Sequence, residues 1–233
     1  MKDAAEPPRS IYQRMLGADF DRLHPRVQER FGFTSGDGVA SIGRGVMDEI
    51  WRGAAYTLPF LRLGAWRRIM FPEKGRDVPF TIRNYAFVDP FGRETVTWIR
   101  TFDMPSRKRR FDAYMIYSDS RDRIVDYLGT HQHLAVDIEL SVDPGGGLRL
   151  RSGEQRFYEG RIAFRFPAAF TGVADVHEWF DDELGRYRIE VNVTNPRWGR
   201  LFGYRGSFEV EWVHTDLTGV PRSVMPRRFE RRE

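Results

Sequence analysis

Cysteine is absent from the 233 residues. Disulfides, thiolate metal ligands and cysteine nucleophiles are excluded with it. Lysine is nearly absent too: Lys2, Lys74 and Lys108 stand against 34 arginines, a bias that a GC-rich bacterial genome accounts for without appeal to function. No apolar run approaches the roughly 18 residues of a spanning helix. The opening MKDAAEPPRS has no apolar signal-peptide core, so a soluble cytoplasmic protein without a transmembrane segment is expected. Repeats and low-complexity tracts are missing, and so are the common catalytic signatures. No G-x-S-x-G precedes a helix, and Gly206-Ser207 lies in mid-strand. GDGVASIGRG lacks the Lys-Ser/Thr ending of a phosphate loop and runs into a strand instead of a helix. No cofactor is expected.

What is present is apolar bulk: 18 Phe and 6 Trp are enough to build a sizeable core, and the length fits one domain. The net charge of +4 is unevenly placed. Residues 222–233 hold five arginines and two glutamates and read as a basic tail, free or docked through Val224, Met225 and Phe229. A second basic cluster, residues 107–110, follows Pro105 in what reads as a turn. The aromatics alternate with polar residues as strand cores do, which disfavours a nucleic-acid surface.

Residues 1–9, with Pro7 and Pro8, read as a disordered leader, and residues 10–221 as a single domain. Ser10 caps a helix carrying Ile11, Met15 and Leu16 on one face, and Pro25 opens a second that ends at Gly32. From Val39 the period becomes two. Strands are predicted near 39–51, 78–88, 93–104, 110–118, 123–129, 134–143, 147–153, 155–166, 173–182, 186–194 and 201–214. Residues 55–75, with Leu58, Leu61, Trp66 and Ile69, form a helical insertion or lid. Short turns make successive strands antiparallel, and so many strands curl or close. The expected fold is mainly β (α+β): a large antiparallel β-barrel or strongly curved sheet with N-terminal helices, a two-sheet sandwich being the alternative.

Barrels with so many strands tend to enclose a pocket, the alternative being a solid core in which Arg100 or Arg44 pairs with Glu178 and fixes strand register. Alternation places Ile42, Arg44, Val46, Phe80, Ile82, Asn84, Trp98, Arg100, Phe102, Val176, Glu178, Phe180 and Tyr204 inside. Arg44, Arg100 and Glu178 are thus ionisable groups on apolar faces, where a charge needs a partner or a ligand. They are either structural ion pairs or site residues, with Arg44, Asn84, Trp98, Arg100 and Tyr204 binding ligand and Glu178 acting as general acid or base. His131 and His133 share a strand face, with His177 or Glu178 as a third candidate ligand, but the tract lies at a turn and no metal is expected.

The opening SIYQRMLGADFDRLHPRVQERFG, the segment WIRTF and the closing NPRWGRLFGYRGSFEVEW with VPRSVMPRRFERRE together resemble the bacterial family catalogued as domain of unknown function 4166 (DUF4166). Pro196, Gly199, Tyr204, Gly206 and Phe208 form the most distinctive pattern. The resemblance implies a self-contained domain and no assigned catalytic residues. In some relatives the domain is joined to a reductase-like NAD(P)-binding domain, so a redox role would fall to a separate reductase-like partner. Two functions are expected to compete. One is binding of an apolar or amphipathic small molecule, lipid or polyketide-like, with arginine meeting an acidic head group. The other is a cofactor-free cyclase, isomerase or dehydratase using Glu178.

Overall fold

The computed structural model describes residues 8–167, 171–215 and 219–233. The predicted leader therefore lies largely outside the described residues. Helix α1 (Ile11–Leu16) starts where Ser10 and Gln13 cap each other reciprocally, each side chain accepting the other's backbone N–H. A 3-10 turn (Gly17–Arg22) leads to α2 (Pro25–Gly32), whose first turn tolerates Pro25 because that N–H has no helical partner to lose. Ile11, Tyr12, Phe20, Leu23, Val27 and Phe31 from this segment are buried in the main core, so the two helices plug one end of the barrel that the strands build.

The strands are β1 (Val39–Arg52), β2 (Gly75–Val88), β3 (Glu94–Met104), β4 (Arg107–Ser118), β5 (Arg123–Leu128), β6 (Leu134–Val142), β7 (Leu148–Glu159), β8 (Ile162–Arg165), β9 (Val173–Asp181), β10 (Arg186–Asn195) and β11 (Gly199–His214). Pairing runs from β1 through β7 in order, then to β9, β10 and β11, and β11 returns to β1. Ten antiparallel strands thus close a barrel, which removes its open edges, and β8 hangs on the outer half of β7 as a hairpin. The insertion between β1 and β2 folds as α3 (Leu58–Arg67) over the end opposite the plug, ending where Arg68 turns left-handed. No described helix is long and apolar enough to cross a membrane.

Three expectations need correction. Residues 147–153 and 155–166 are not two strands: β7 runs through Gly153, and the reversal comes at Gly160, whose φ of 53° makes the turn to β8. The basic cluster 107–110 opens β4 and does not form a turn. There Lys108 lies 3.3 Å from Asp103, Arg109 binds Glu73, and Arg110 lies 2.9 Å from Asp112. Ile42, Arg44 and Val46 face outward. Gly43, Gly45 and Met47 are the inward positions of β1, and Arg44 is exposed beside Glu211.

The physical reason for this reversal is a second buried layer. Ala40, Ile42, Tyr85, Ile99, Tyr114, Ile116, Val125, Tyr127, Ala135 and Tyr158 form an apolar cluster on the outer face, covered by Val224 of the C-terminal segment. An outward strand face that is also buried carries the same apolar signal as an inward one.

Inside, β1 and β11 approach so closely that side chains do not fit. A Cβ on Gly45 would lie 2.0 Å from the Ser207 carbonyl oxygen, and one on Gly206 would lie 2.2 Å from the Val46 carbonyl oxygen. Backbone cannot move aside as a rotamer can, and glycine here permits the bend that closes the sheet. Gly45→Ala is expected to destabilise by at least about 1–3 kcal/mol, the usual range for overpacking, read from urea unfolding. A change within a few tenths of a kcal/mol would show that the strands can separate locally.

Candidate functional site

Between the helical plug and α3 the barrel is not filled. A cavity of about 1260 Å³ runs inward from the α3 end. Its mouth is formed by α3, through Phe60, Leu61, Trp66 and the following Ile69, and by Phe166 and Trp198. Its walls are the inward positions of β6, β7, β9 and β10, among them Val136, Ile138, Leu150, Val176 and Val191. Period two brings each of these into the same space, and each is apolar.

Polar side chains such as Arg67, His131, His133, Glu159 and Arg228 also line the cavity, and two charged groups, Arg100 and Asp126, lie deep in it. Arg100 on β3 is 4% exposed. Its guanidinium carbon stacks 3.7 Å from the centre of the Phe111 ring, Nη1 donates to the Tyr204 hydroxyl at 3.2 Å, and Nε is buried without a partner. Asp126 on β5 also lines the cavity, 6% exposed, with Oδ1 buried and unpartnered. No ion pair joins the two, although the arginine charge acts on the carboxyl. Burial is the larger influence and pushes the Asp126 carboxyl up to about 7; Arg100 and the Tyr114 backbone N–H pull the other way.

This shift has a stability consequence of definite sign. Between about pH 7 and pH 4 the folded protein holds a proton on Asp126 that the unfolded chain has released, so stability rises as pH falls through this window. Above pH 7 the buried charge costs on the order of 4 kcal/mol, by about 1.4 kcal/mol per pK unit. Asp126→Asn is therefore expected to stabilise the protein at pH 8, with the gain shrinking towards pH 4. Unfolding midpoints measured across that range check it; a gain independent of pH would mean that Asp126 is not the group titrating.

Of the residues singled out in the sequence, Trp98 and Arg100 line the cavity and Tyr204 stands behind Arg100. Trp98 donates from Nε1 to the Tyr12 hydroxyl at 2.8 Å, tying the cavity wall to α1. Asn84 is buried on β2, donates to the Thr97 carbonyl at 2.8 Å and is not part of the lining. Arg44 is on the outside. Glu178 is fully buried but bound by Arg30 of α2 through two hydrogen bonds, while Arg30 Nη1 donates to the Ser41 hydroxyl at 2.7 Å. Burial pushes the Glu178 carboxyl up and Arg30 opposes it. An unpaired carboxyl open to the cavity is thus found at Asp126, not at Glu178.

His131 and His133 both line the mouth with rings stacked at 5.4 Å, but arginines occupy their surroundings. Arg67 Nη1 is 3.1 Å from His131 Nδ1, and Arg228 Nη1 is 2.7 Å from His133 Nδ1. Burial, followed by Arg67, holds the His131 ring below its ordinary pKa. Two guanidinium groups stand there against the carboxylate of Glu159, 2.6 Å from His133 Nδ1.

Comparison with known proteins leaves the chemistry open. The protein described as "Uncharacterized protein YndH" from Bacillus subtilis (strain 168) is 36% identical over 206 residues, covering 87% of this chain and 97% of its own length. No solved structure matches the chain. The family model described as "Domain of unknown function (DUF4166)" matches residues 23–208. That stretch runs from Leu23, two residues ahead of α2, to Phe208 in β11, taking in Arg30, Arg100, Asp126 and Glu178. The chain that folds into this plugged and lidded barrel belongs to the DUF4166 family.

Proposed function

We propose that the barrel is a binding protein for an apolar or amphipathic small molecule, a lipid or a polyketide-like compound, held in the cavity. The observation that carries this reading is the cavity itself. At about 1260 Å³ it exceeds the roughly 300–1,000 Å³ of ordinary ligand pockets, and its inner walls are mostly apolar, with Arg100 and Asp126 the charged groups deep inside. A solid core would leave voids little larger than a water molecule. The lid supports the reading as well. Phe60 is 72% and Trp66 71% exposed while both also line the mouth, so α3 presents apolar side chains at the entrance while Leu61 anchors it in the core.

Native mass spectrometry of gently purified protein, followed by extraction, tests for a copurifying apolar compound. A designed obstruction tests the space directly. Val176→Trp is expected to weaken binding of an apolar fluorescent probe at least tenfold while changing stability by less than about 1 kcal/mol, because the added ring enters existing space. A destabilisation in the 1–3 kcal/mol range of overpacked cores, with no probe bound by either form, would refute the proposal.

A second reading, a cofactor-free cyclase, isomerase or dehydratase, needs a carboxyl facing the ligand. With Glu178 held by Arg30, that role passes to Asp126, whose carboxyl titrates at about 7, where general acids and bases work best.

A further inference from the structure

We infer that the inner end of the cavity is a carboxylic-acid subsite, in which Arg100 and Asp126 receive the head group of a long-chain monocarboxylic acid. Its carboxylate accepts N–H bonds from Arg100 and shares one proton with Asp126. This rests on the reading of the barrel as a container and adds the chemical class of what it contains.

The two side chains are short of partners in complementary ways. Arg100 has one hydrogen bond, to Tyr204, and a buried Nε–H with none. Asp126 has a buried oxygen, Oδ1, with no partner. Isolated buried charges are costly, and native proteins keep them paired or liganded. These two do not pair with each other. Register explains why: Arg100 stands opposite Phe111 on β4 and Asp126 opposite Met115, so the two flank β4 on a diagonal. A group bridging them must accept from the guanidinium and meet Asp126 through a proton. A carboxyl group does both, and an alkyl chain behind it fits walls made by Ile138, Leu150, Val176 and Val191.

Proton balance gives the subsite a signature. A ligand carboxylate placed against an ionised Asp126 would put two negative charges beside one positive charge; uptake of one proton from solvent leaves one of each. That proton is available near neutrality because burial raises the Asp126 carboxyl to about 7. The groups facing Asp126 do not supply a competing titration. Met115 on β4 and Val136 on β6 carry no charge. Tyr12 on α1 is pushed up by burial and stays neutral while bonded to Trp98 and Met115. Arg100 is the cation, and its other neighbours are Tyr204, itself raised by burial, and the Glu178 carboxylate already held by Arg30.

The test is calorimetric titration of the full-length protein with dodecanoic acid and with its methyl ester. Each is run at pH 8 and at pH 5.5 in two buffers of different ionisation enthalpy, which counts protons. Dodecanoate is expected to take up close to one proton on binding, falling towards none at pH 5.5, and the ester none at either pH. Asp126→Asn abolishes the uptake. Arg100→Lys, the conservative variant, and Arg100→Met each weaken dodecanoate about tenfold or more and leave the ester unchanged. Acid and ester binding alike, with no proton uptake, would overturn the subsite and leave the container standing. Acid preferred without uptake would overturn the part assigned to Asp126. Neither ligand binding, in protein shown to be folded, would overturn the container reading with it.

Discussion

Arg30→Met is expected to destabilise the protein by about 3–5 kcal/mol, the range found when one partner of a buried ion pair is removed and the other is left charged. Both side chains of the Arg30–Glu178 pair have no exposure at all. The guanidinium lies over the Phe208 ring at 5.0 Å and reaches Ser41 on β1 as well as Glu178 on β9. One side chain of α2 therefore ties the helical plug to two strands on different parts of the ring. Tyr187 adds a lesser tie, donating to the Arg26 carbonyl at 2.8 Å. The double replacement Arg30→Met with Glu178→Leu should regain most of the loss, since apolar residues of similar size often match a buried pair in stability. A double-mutant cycle from urea unfolding gives the coupling. A single-variant change below about 1 kcal/mol would show that water reaches the pair. Because the pair lies beyond the cavity lining, the double variant should keep its affinity for an apolar probe.

How much of this was legible in the sequence depended on whether the two faces of an element differ. Trp98, Arg100 and Phe102 alternate in β3 with Ile99 and Thr101 and are flanked by Thr97 and Asp103, so three of the four positions on the other face are polar and the inward placement follows from period two, even though Ile99 is buried in the outer layer. Arg44 was misplaced because Ala40 and Ile42, on its own face, are buried by the second layer, so apolar character did not mark the inside. Asp126 was missed for the same reason. Ile124, Val125, Asp126 and Tyr127 are all buried, and with no polar face for contrast the strand shows no alternation in which a lone acid stands out. Arg30 was hidden differently: on α2 it shares a face with Val27 and Phe31, a spacing visible only in helical phase, among neighbours as charged as itself. Closure of the barrel was legible in the number of strands. The partners of its buried charges were not, since pairing Arg30 with Glu178 requires knowing which end of the ring the helices plug.

Deleting residues 222–233 is expected to remove about 4–5 kcal/mol and to make the protein aggregate. Val224 is fully buried against the outer cluster, and burial of such a side chain contributes about 2 kcal/mol. The remainder comes from hydrogen bonds worth about 1 kcal/mol each. The Tyr127 hydroxyl donates to the Arg232 carbonyl and that of Tyr158 to the Glu233 carbonyl, both at 2.9 Å, and the Glu230 amide donates to Gln132 at 2.7 Å. Arg93, between β2 and β3, reaches the carbonyls of Glu230 and Arg231 and the Glu233 carboxylate. Against a total stability of typically 5–15 kcal/mol this is a large fraction, and in a chain of this size it lowers the melting temperature by roughly 10 °C or more. Truncation would also bare Ile42, Tyr85, Tyr114 and Val125 as one apolar patch, which soluble monomers avoid. Thermal unfolding and light scattering of the truncated chain check both effects. A monomer melting within a few degrees of the full-length protein would mean that the segment is an appendage. The charge pattern argues otherwise: Arg228 and Arg232 are both held by Glu230, and Arg228 also meets His133 at the cavity mouth. The arginines that looked like a basic arm serve in part as straps, binding the second layer to the barrel and bracing the entrance to its cavity.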